Sequence, residues 1–138
     1  MLPFEYSETV LDHYENPRNV GEAARANAVA QVESDACADR LKLSLRIGPD
    51  GVIEEARFRT FGCVAAIAAS SMTTELLVGL DVEAAATITD SRVSEELGGL
   101  PPAKIHCSVL AERAIREALR DFRSETGRAR EGKGRAES

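Results

Sequence analysis

The chain of 138 residues has no tryptophan, two tyrosines and four phenylalanines, so aromatic side chains make up only 4% of it. Its hydrophobic fraction of 43% is nevertheless sufficient for one domain with one core. Because aromatic residues are scarce, that core must consist of aliphatic side chains and alanine. Three cysteines are too few, and odd in number, for a disulfide framework. We therefore expect a single domain that is stabilised by aliphatic packing.

Long apolar runs are also lacking. No segment approaches the roughly 20 apolar residues that a membrane-spanning helix needs. The N-terminus has no basic segment followed by an apolar one, which is the pattern of a secretory signal. We therefore expect a cytoplasmic location, where thiols stay reduced, and no membrane partner.

Positive charge is in deficit, since 23 acidic residues face 17 basic ones and the formal net charge is −6. Binding to nucleic acid depends on clustered lysine and arginine, so this balance predicts no nucleic-acid partner. The exception is the locally basic segment 127–138, whose composition cannot bury apolar surface. We predict a folded domain over residues 1–126 and a disordered polar tail over residues 127–138. A weak contact between this tail and a polyanion is the less favoured alternative.

Hydrophobic periodicity predicts an α+β fold, with a small antiparallel three-stranded sheet packed against helices and a helical second half. Ser7 is the expected N-cap of a first helix that ends at Asn16, before Pro17. Apolar and polar residues alternate along the central strand, and a Gly-Pro-Asp-Gly turn follows it. The predicted strands are residues 28–33, 41–47 and 52–61, and the later helices are residues 64–78, 82–87, 92–97 and 105–122.

Each cysteine lies at the edge of a predicted element. Cys37 lies in a polar loop between the first two strands, Cys63 where a strand passes into a helix, and Cys107 at the start of the last helix. The positive end of a helix dipole lowers the pKa of a nearby thiol, which favours thiolate at Cys63 and Cys107. Thiolate binds soft metals and attacks sulfur. A lone cysteine, by contrast, is most often a small buried hydrophobic residue.

Two further ligand types stand beside these cysteines, Asp39 near Cys37 and His106 next to Cys107. Three thiolates with one oxygen or nitrogen ligand complete a tetrahedral zinc site or the terminal positions of a [2Fe–2S] cluster. On spacing alone, metal binding and inert burial are equally supported. A static zinc adaptor and a cysteine hydrolase or transferase are the competing classes. Neighbouring helical residues point about 100° apart, so we do not expect His106 and Cys107 to act as a base and nucleophile pair.

His13 lies on the first predicted helix without a cysteine or carboxylate at ligand spacing. We therefore expect it to be a partly exposed structural histidine. It is not included among the candidate ligands.

Four segments of the chain carry a more specific pattern: YSETVLDHYENPRNVG, ACAD, FRTFGCVAAIAAS and GGLPPAKIHCSVLAERAI. In this order, they resemble the IscU family and the N-terminal domain of NifU, which are iron–sulfur cluster assembly scaffolds. The similarity extends from Tyr6 to about Phe122. It joins three separate cysteine motifs to the opening helix of the family.

The resemblance implies a scaffold rather than an enzyme, which receives sulfur and iron, builds a [2Fe–2S] cluster and transfers it. The implied ligands are Cys37, Cys63 and Cys107, with Asp39 or His106 as the fourth, and zinc is a candidate occupant of the empty pocket. Cys37 and Cys107 are the implied candidates for accepting persulfide sulfur. Lys104 matches a family lysine beside the site, where it is either an alternative ligand or sulfur-transfer helper, or a solvated surface residue.

The resemblance also implies partners, namely a cysteine desulfurase as the sulfur source and apo iron–sulfur proteins as acceptors. The segment LPPAK, which begins at Leu100, resembles a family segment that docks an Hsp70-type chaperone, although a rigid linker is the alternative. Ala38 and Val64 replace two glycines of the family pattern. If either glycine were used at positive φ, the replacement would strain the loop by roughly 1 kcal/mol or more.

Overall fold

The computed structural model describes residues 5–34 and 39–134, with side chains described as far as Ser124. It confirms the predicted α+β class, because a three-stranded antiparallel sheet packs against helices. In chain order the elements are α1 (Glu8–Glu15), β1 (Ala28–Glu33), β2 (Arg40–Ile47), β3 (Ile53–Phe61), α2 (Val64–Leu77), α3 (Val82–Ala85), α4 (Asp90–Glu96), a 3-10 turn (Pro102–Lys104) and α5 (Ile105–Gly134).

The sheet has the strand order β1-β2-β3, and both pairs are antiparallel. Leu41, Leu43 and Leu45 of β2 are buried, which confirms the face that their alternation predicted. The turn between β2 and β3 closes with a hydrogen bond of 2.9 Å from the Gly51 N–H to the Gly48 carbonyl oxygen. Gly51 has a φ of +83°, a conformation that other residues rarely adopt.

The helices cover the apolar face of the sheet. α5 packs against β1 and β2, while α2 packs between β3 and α1. Alanine allows these close approaches, which confirms the predicted alanine-rich core. The fully buried alanines of the two helices are Ala65, Ala68, Ala69, Ala111, Ala114 and Ala118.

α1 is attached to the rest of the domain at both of its ends. Ser7 Oγ accepts a hydrogen bond of 3.0 Å from the Val10 N–H, as predicted for an N-cap, and donates to the Leu97 carbonyl oxygen. His13 is only 3% exposed, so the expectation of partial exposure is wrong. The reason is that α2 covers this face of α1. The Nδ1 atom of His13 lies 2.7 Å from Ser71 Oγ, and its Nε2 atom lies 3.4 Å from Glu75 Oε1.

The backbone of α5 is helical as far as Gly134, beyond the end near Phe122 that its apolar stripe predicted. The domain boundary at residue 126 and the disorder of residues 127–138 stay predictions. Within the described residues, no helix is both long enough and apolar enough to cross a membrane.

Candidate metal centre

Three chain segments meet at one end of the sheet. Asp39 directly precedes β2, and Cys63 follows β3 after Gly62. Arg40 and Phe61 form the last pair of β2 and β3, so Asp39 and Cys63 both lie just beyond the same end of the sheet. The first turn of α5 supplies His106 and Cys107 to that edge.

The side chains of these residues converge. The sulfur atoms of Cys63 and Cys107 are 3.8 Å apart. Asp39 Oδ2 lies 3.7 Å from the Cys107 sulfur and 4.0 Å from the Cys63 sulfur. The Nε2 atom of His106 lies 3.6 Å from the Cys107 sulfur and 3.8 Å from Asp39 Oδ2. The donor atoms therefore form two triangles that share the edge between Asp39 and Cys107.

These separations are those of metal ligands. Two sulfurs bound tetrahedrally at about 2.3 Å from one metal are about 3.8 Å apart. The sulfurs of Cys63 and Cys107 lie at this distance from each other. The donor atoms of Asp39, His106 and Cys107 also lie within 4.8 Å of one another. Four of the five ligands implied by the family resemblance are thus brought together, whereas the fifth, Cys37, lies outside the described residues.

The site is buried on one side and open on the other. Cys107 and Asp39 are 2% and 7% exposed. Cys63 and His106 are half-buried, so solvent reaches the site past them. A soft ligand set with one accessible side can bind a metal and still be reached by another protein.

The thiol of Cys107 does not behave as its helix position predicted. Burial, reinforced by the neighbouring Cys63 and Asp39, raises the pKa of Cys107 far above the ordinary range of a thiol. Removal of the sulfur from water, together with the neighbouring Cys63 and Asp39 side chains, outweighs the helix dipole. The expectation of a favoured thiolate is therefore wrong for Cys107.

His106 and Cys107 contact each other, with 3.6 Å between Nε2 and Sγ. The expectation that they point apart is wrong. The angle of about 100° separates the Cβ atoms of neighbouring helical residues, but the imidazole is long enough for its Nε2 atom to reach the Cys107 sulfur. This contact is compatible with two roles: both atoms could bind one metal ion, or a proton could pass between them.

Lys104 lies beside the site, in the turn that leads into α5. The Cys63 sulfur raises the pKa of Lys104, while burial opposes this effect, so the ammonium stays charged. Tyr6 is a second neighbour, which the sequence reasoning did not single out. Burial raises the pKa of Tyr6, Lys104 lowers it, and the Cys63 and Cys107 sulfurs add to the increase. Its place at the start of the family's opening helix was the signal that could have pointed to it.

At two positions, Ala38 and Val64, this chain has another residue where the family pattern has glycine. Val64 is the first residue of α2 and has a helical backbone, so the anticipated strain does not arise there. Apart from glycines, only Asn19 and Arg25 have a positive φ in the part of the chain that the structure describes. Ala38 lies outside the described residues.

The LPPAK segment is more compact than its prolines suggested. Pro101 is extended, with φ −56° and ψ 144°, but Pro102–Lys104 forms a 3-10 turn that starts α5. Pro102 and Ala103 are exposed. The segment is therefore a rigid turn with an accessible tip, and chaperone docking stays a prediction.

The chain is similar to several known proteins. Residues 5–129 match the family model of the NifU-like N-terminal domain. The iron–sulfur cluster assembly scaffold protein IscU of Azotobacter vinelandii is 47% identical over 125 residues, which cover 88% of this chain and 97% of that protein. IscU of Escherichia coli K12 is 48% identical over 122 residues, which cover 86% and 94%. The crystal structure of a NifU-like N-terminal protein from Brucella abortus has the same fold, with a TM-score of 0.66 at 22% identity over 86% of this chain and 94% of that one.

Proposed function

Since the chain belongs to the NifU-like N-terminal domain family, we propose that it is an iron–sulfur cluster assembly scaffold, which receives iron and sulfur and passes the finished cluster to acceptor proteins. The observation that carries this proposal is the pair of sulfurs of Cys63 and Cys107, 3.8 Å apart and both facing the Asp39 carboxylate. In this role the protein is a carrier and not an enzyme.

The proposed ligands are Cys63, Cys107 and Cys37, completed by Asp39 or His106. Both of the latter present a donor atom within 4 Å of the Cys107 sulfur. Cys37 is included because of the family resemblance, and it precedes Asp39 by two residues in the sequence. Three cysteines with one oxygen or nitrogen ligand fill the four terminal positions of a [2Fe–2S] cluster, which is the cargo we propose.

A scaffold must bind its cargo and also release it. Sulfur ligands suit iron in a sulfide cluster, whereas a carboxylate oxygen is a poorly matched ligand. In the proposed mechanism Asp39 is the exchangeable corner, which an acceptor thiolate displaces first. Bound iron would replace the proton of the Cys107 thiol, because a coordinating thiol is deprotonated by the metal.

Sulfur arrives as persulfide from a cysteine desulfurase in this proposal. An accepting thiolate attacks the outer sulfur of the persulfide, a new S–S bond forms, and the desulfurase thiolate leaves. Reducing the transferred sulfur to sulfide requires two electrons from an external reductant. Cys107 is 2% exposed and has a raised pKa, so Cys37 is the better first acceptor of the two candidates. The charged Lys104 beside Cys63 stabilises the anions that pass through the site.

Other details of the role are proposals that follow from the same chemistry. A cytoplasmic location keeps the thiols reduced. The accessible tip at Pro102 and Ala103 is the proposed contact for an Hsp70-type chaperone. Zinc is the proposed occupant of the site before cluster assembly, because the sulfur–sulfur distance suits tetrahedral zinc.

The same distance favours one competing role, a static zinc adaptor. The deciding experiment incubates the reduced, full-length protein anaerobically with iron, cysteine and a cysteine desulfurase, and records the visible spectrum before and after apo-ferredoxin is added. A scaffold acquires cluster absorption and loses it to the ferredoxin. A colourless protein that retains zinc contradicts the proposal, and turnover of an ester substrate would favour a cysteine hydrolase. Cys63→Ser is the matched control and should retain no stable cluster.

A further inference from the structure

The solvent-facing side of the sheet carries a basic and aromatic surface next to the metal centre. We call it the basic–aromatic face and define it by Arg40, Lys42, Arg59 and Phe61. Arg40 and Phe61 are cross-strand partners, and so are Lys42 and Arg59. Arg40 begins β2 and Phe61 ends β3, so this pair lies next to the residues of the metal centre.

Phe61 is 72% exposed, which is the highest value among the large hydrophobic residues that the structure describes. A solvent-exposed phenylalanine side chain adds no hydrophobic stabilisation to the fold. Aromatic side chains are enriched in protein interfaces. Cys63 is only two residues further along the chain. A partner that covers Phe61 would therefore also face the metal centre.

The charges of this face form an unusual arrangement. Lys42 and Arg59 are directly opposite each other, and like charges in this position destabilise a sheet. A single carboxylate relieves the repulsion, because Glu22 lies 3.2 Å from Lys42 Nζ and 3.3 Å from Arg59 Nε. Arg40 lies 3.6 Å from Glu33. The face thus shows that a carboxylate fits between its two opposed cations.

A shallow groove of about 220 Å³ runs over the face. The four residues of the face line it together with Gln31, Leu41 and Thr60. Arg40 and Arg59 are each 64% exposed, so their guanidinium groups remain available to a second carboxylate. This cationic groove contrasts with the net charge of −6 of the whole chain.

We propose that the basic–aromatic face docks an acidic protein segment that carries an exposed apolar side chain, and that this contact places a protein partner over the metal centre. The apolar side chain covers Phe61, while the carboxylates pair with Arg40 and Arg59. Nucleic acid fits less well, because Glu22, Glu33 and the overall negative charge repel a continuous polyanion. That the partner exchanges sulfur or cluster with the site rests on the proposed function.

The test titrates the full-length protein with a fluorescent peptide in which acidic residues flank a central leucine, and follows anisotropy at two salt concentrations. We expect binding that weakens with salt and that drops about tenfold in Arg59→Glu and in Phe61→Ser. The matched controls are Arg92→Glu, which reverses an exposed charge on α4, and Val78→Ser, which removes a 45% exposed apolar side chain elsewhere. Both controls should bind like the unsubstituted protein. Equal binding by all variants, no binding at all, or tighter binding of a single-stranded oligonucleotide would overturn the proposal.

A second arm separates this inference from the proposed function. Cluster is assembled chemically from iron and sulfide on the unsubstituted protein and on Arg59→Glu, and transfer to apo-ferredoxin is timed. Equal cluster loading with transfer slowed about tenfold in Arg59→Glu supports docking. Equal transfer rates contradict it. If the unsubstituted protein takes up no cluster, the scaffold function fails, and the peptide titration alone then decides whether the face binds acidic segments.

Discussion

The Asp39 carboxylate packs directly against the backbone of Gly62. A side-chain carbon on Gly62 would lie 2.8 Å from Asp39 Oδ1 and 2.9 Å from the Cβ of Ala66, closer than real Cβ contacts come. Glycine is needed here for space. Because the same carboxylate faces the sulfurs of Cys63 and Cys107, Gly62 sets the position of a proposed ligand.

The first prediction follows from this contact. Gly62→Ala should displace the carboxylate and weaken zinc binding about tenfold or more, which is the usual effect of disturbing the support of a ligand. Competition with a chromophoric chelator measures the affinity. Ala66→Gly, added to Gly62→Ala, removes one clash and leaves the one with Asp39. If this double variant recovers full affinity, displacement of Asp39 is not the cause.

A second prediction concerns release of the cluster. In Asp39→Ala the vacated corner passes to His106, whose Nε2 atom lies 3.6 Å from the Cys107 sulfur and is a better matched ligand than a carboxylate oxygen, so the assembled cluster should survive longer and transfer more slowly. The decay of visible absorption in the presence and absence of apo-ferredoxin measures both effects. His106→Ala provides the comparison, since it tests the other candidate for the fourth ligand. Unchanged or faster loss of cluster in Asp39→Ala would rule out the carboxylate as the exchangeable ligand.

A third prediction uses the difference between two thiols. Cys107 is buried with a raised pKa, while Cys63 is half-buried. Iodoacetamide should therefore modify Cys63 about ten times faster than Cys107, or more, in the metal-free native protein. Peptide mass spectrometry follows each site over time. In urea the two rates should become similar, and equal rates in the native protein would show that Cys107 is not shielded.

A fourth prediction concerns pH and stability. Burial lowers the pKa of His13, with Arg18 adding to the effect and Glu75 and Asp12 opposing it. The unfolded chain then binds the proton more readily, so the free energy of unfolding should fall as the pH drops below about 6.5 towards the folded pKa. Between pH 7.5 and 5.5 the loss from this residue is at most about 1.4 kcal/mol.

Urea unfolding at the two pH values measures this effect. His13→Gln should be less stable than the unsubstituted protein at pH 7.5 but should lose less stability at pH 5.5. His106→Gln is the control, because it removes the other histidine and leaves the buried one in place. A pH response that disappears in His106→Gln and persists in His13→Gln would show that His106, and not His13, causes the loss of stability.

Local features of the fold were predictable because short-range rules govern them. The alternation in β2 placed Leu43 in the core, and the capping preference of serine placed Ser7 at the start of α1. The end of α5 was not predictable from its apolar stripe, since the backbone stays helical to Gly134 although apolar residues stop recurring in the sequence after Phe122. Burial of His13 depends on which helix packs on α1, and a one-dimensional pattern does not contain that information.

Some features of the candidate site were also predictable from the sequence, and others were not. The cysteine motifs and their family resemblance predicted that Asp39, Cys63, His106 and Cys107 belong to one site; the structure brings their side chains together, and their role as ligands stays a prediction. The raised pKa of Cys107 could not be read from a helix start, because it depends on burial and on residues distant in the chain. Neither the contact between His106 and Cys107 nor the space needed at Gly62 follows from residue type alone.

Convergence of the three thiols on one metal is tested most directly by counting sulfur ligands. X-ray absorption of the zinc-loaded, full-length protein should show three sulfurs and one nitrogen or oxygen around each zinc. Cys37→Ser should lower the count to two, as should Cys63→Ser and Cys107→Ser. A count of two in the unsubstituted protein, unchanged in Cys37→Ser, would show that Cys37 does not join the site and would contradict the proposed ligand set.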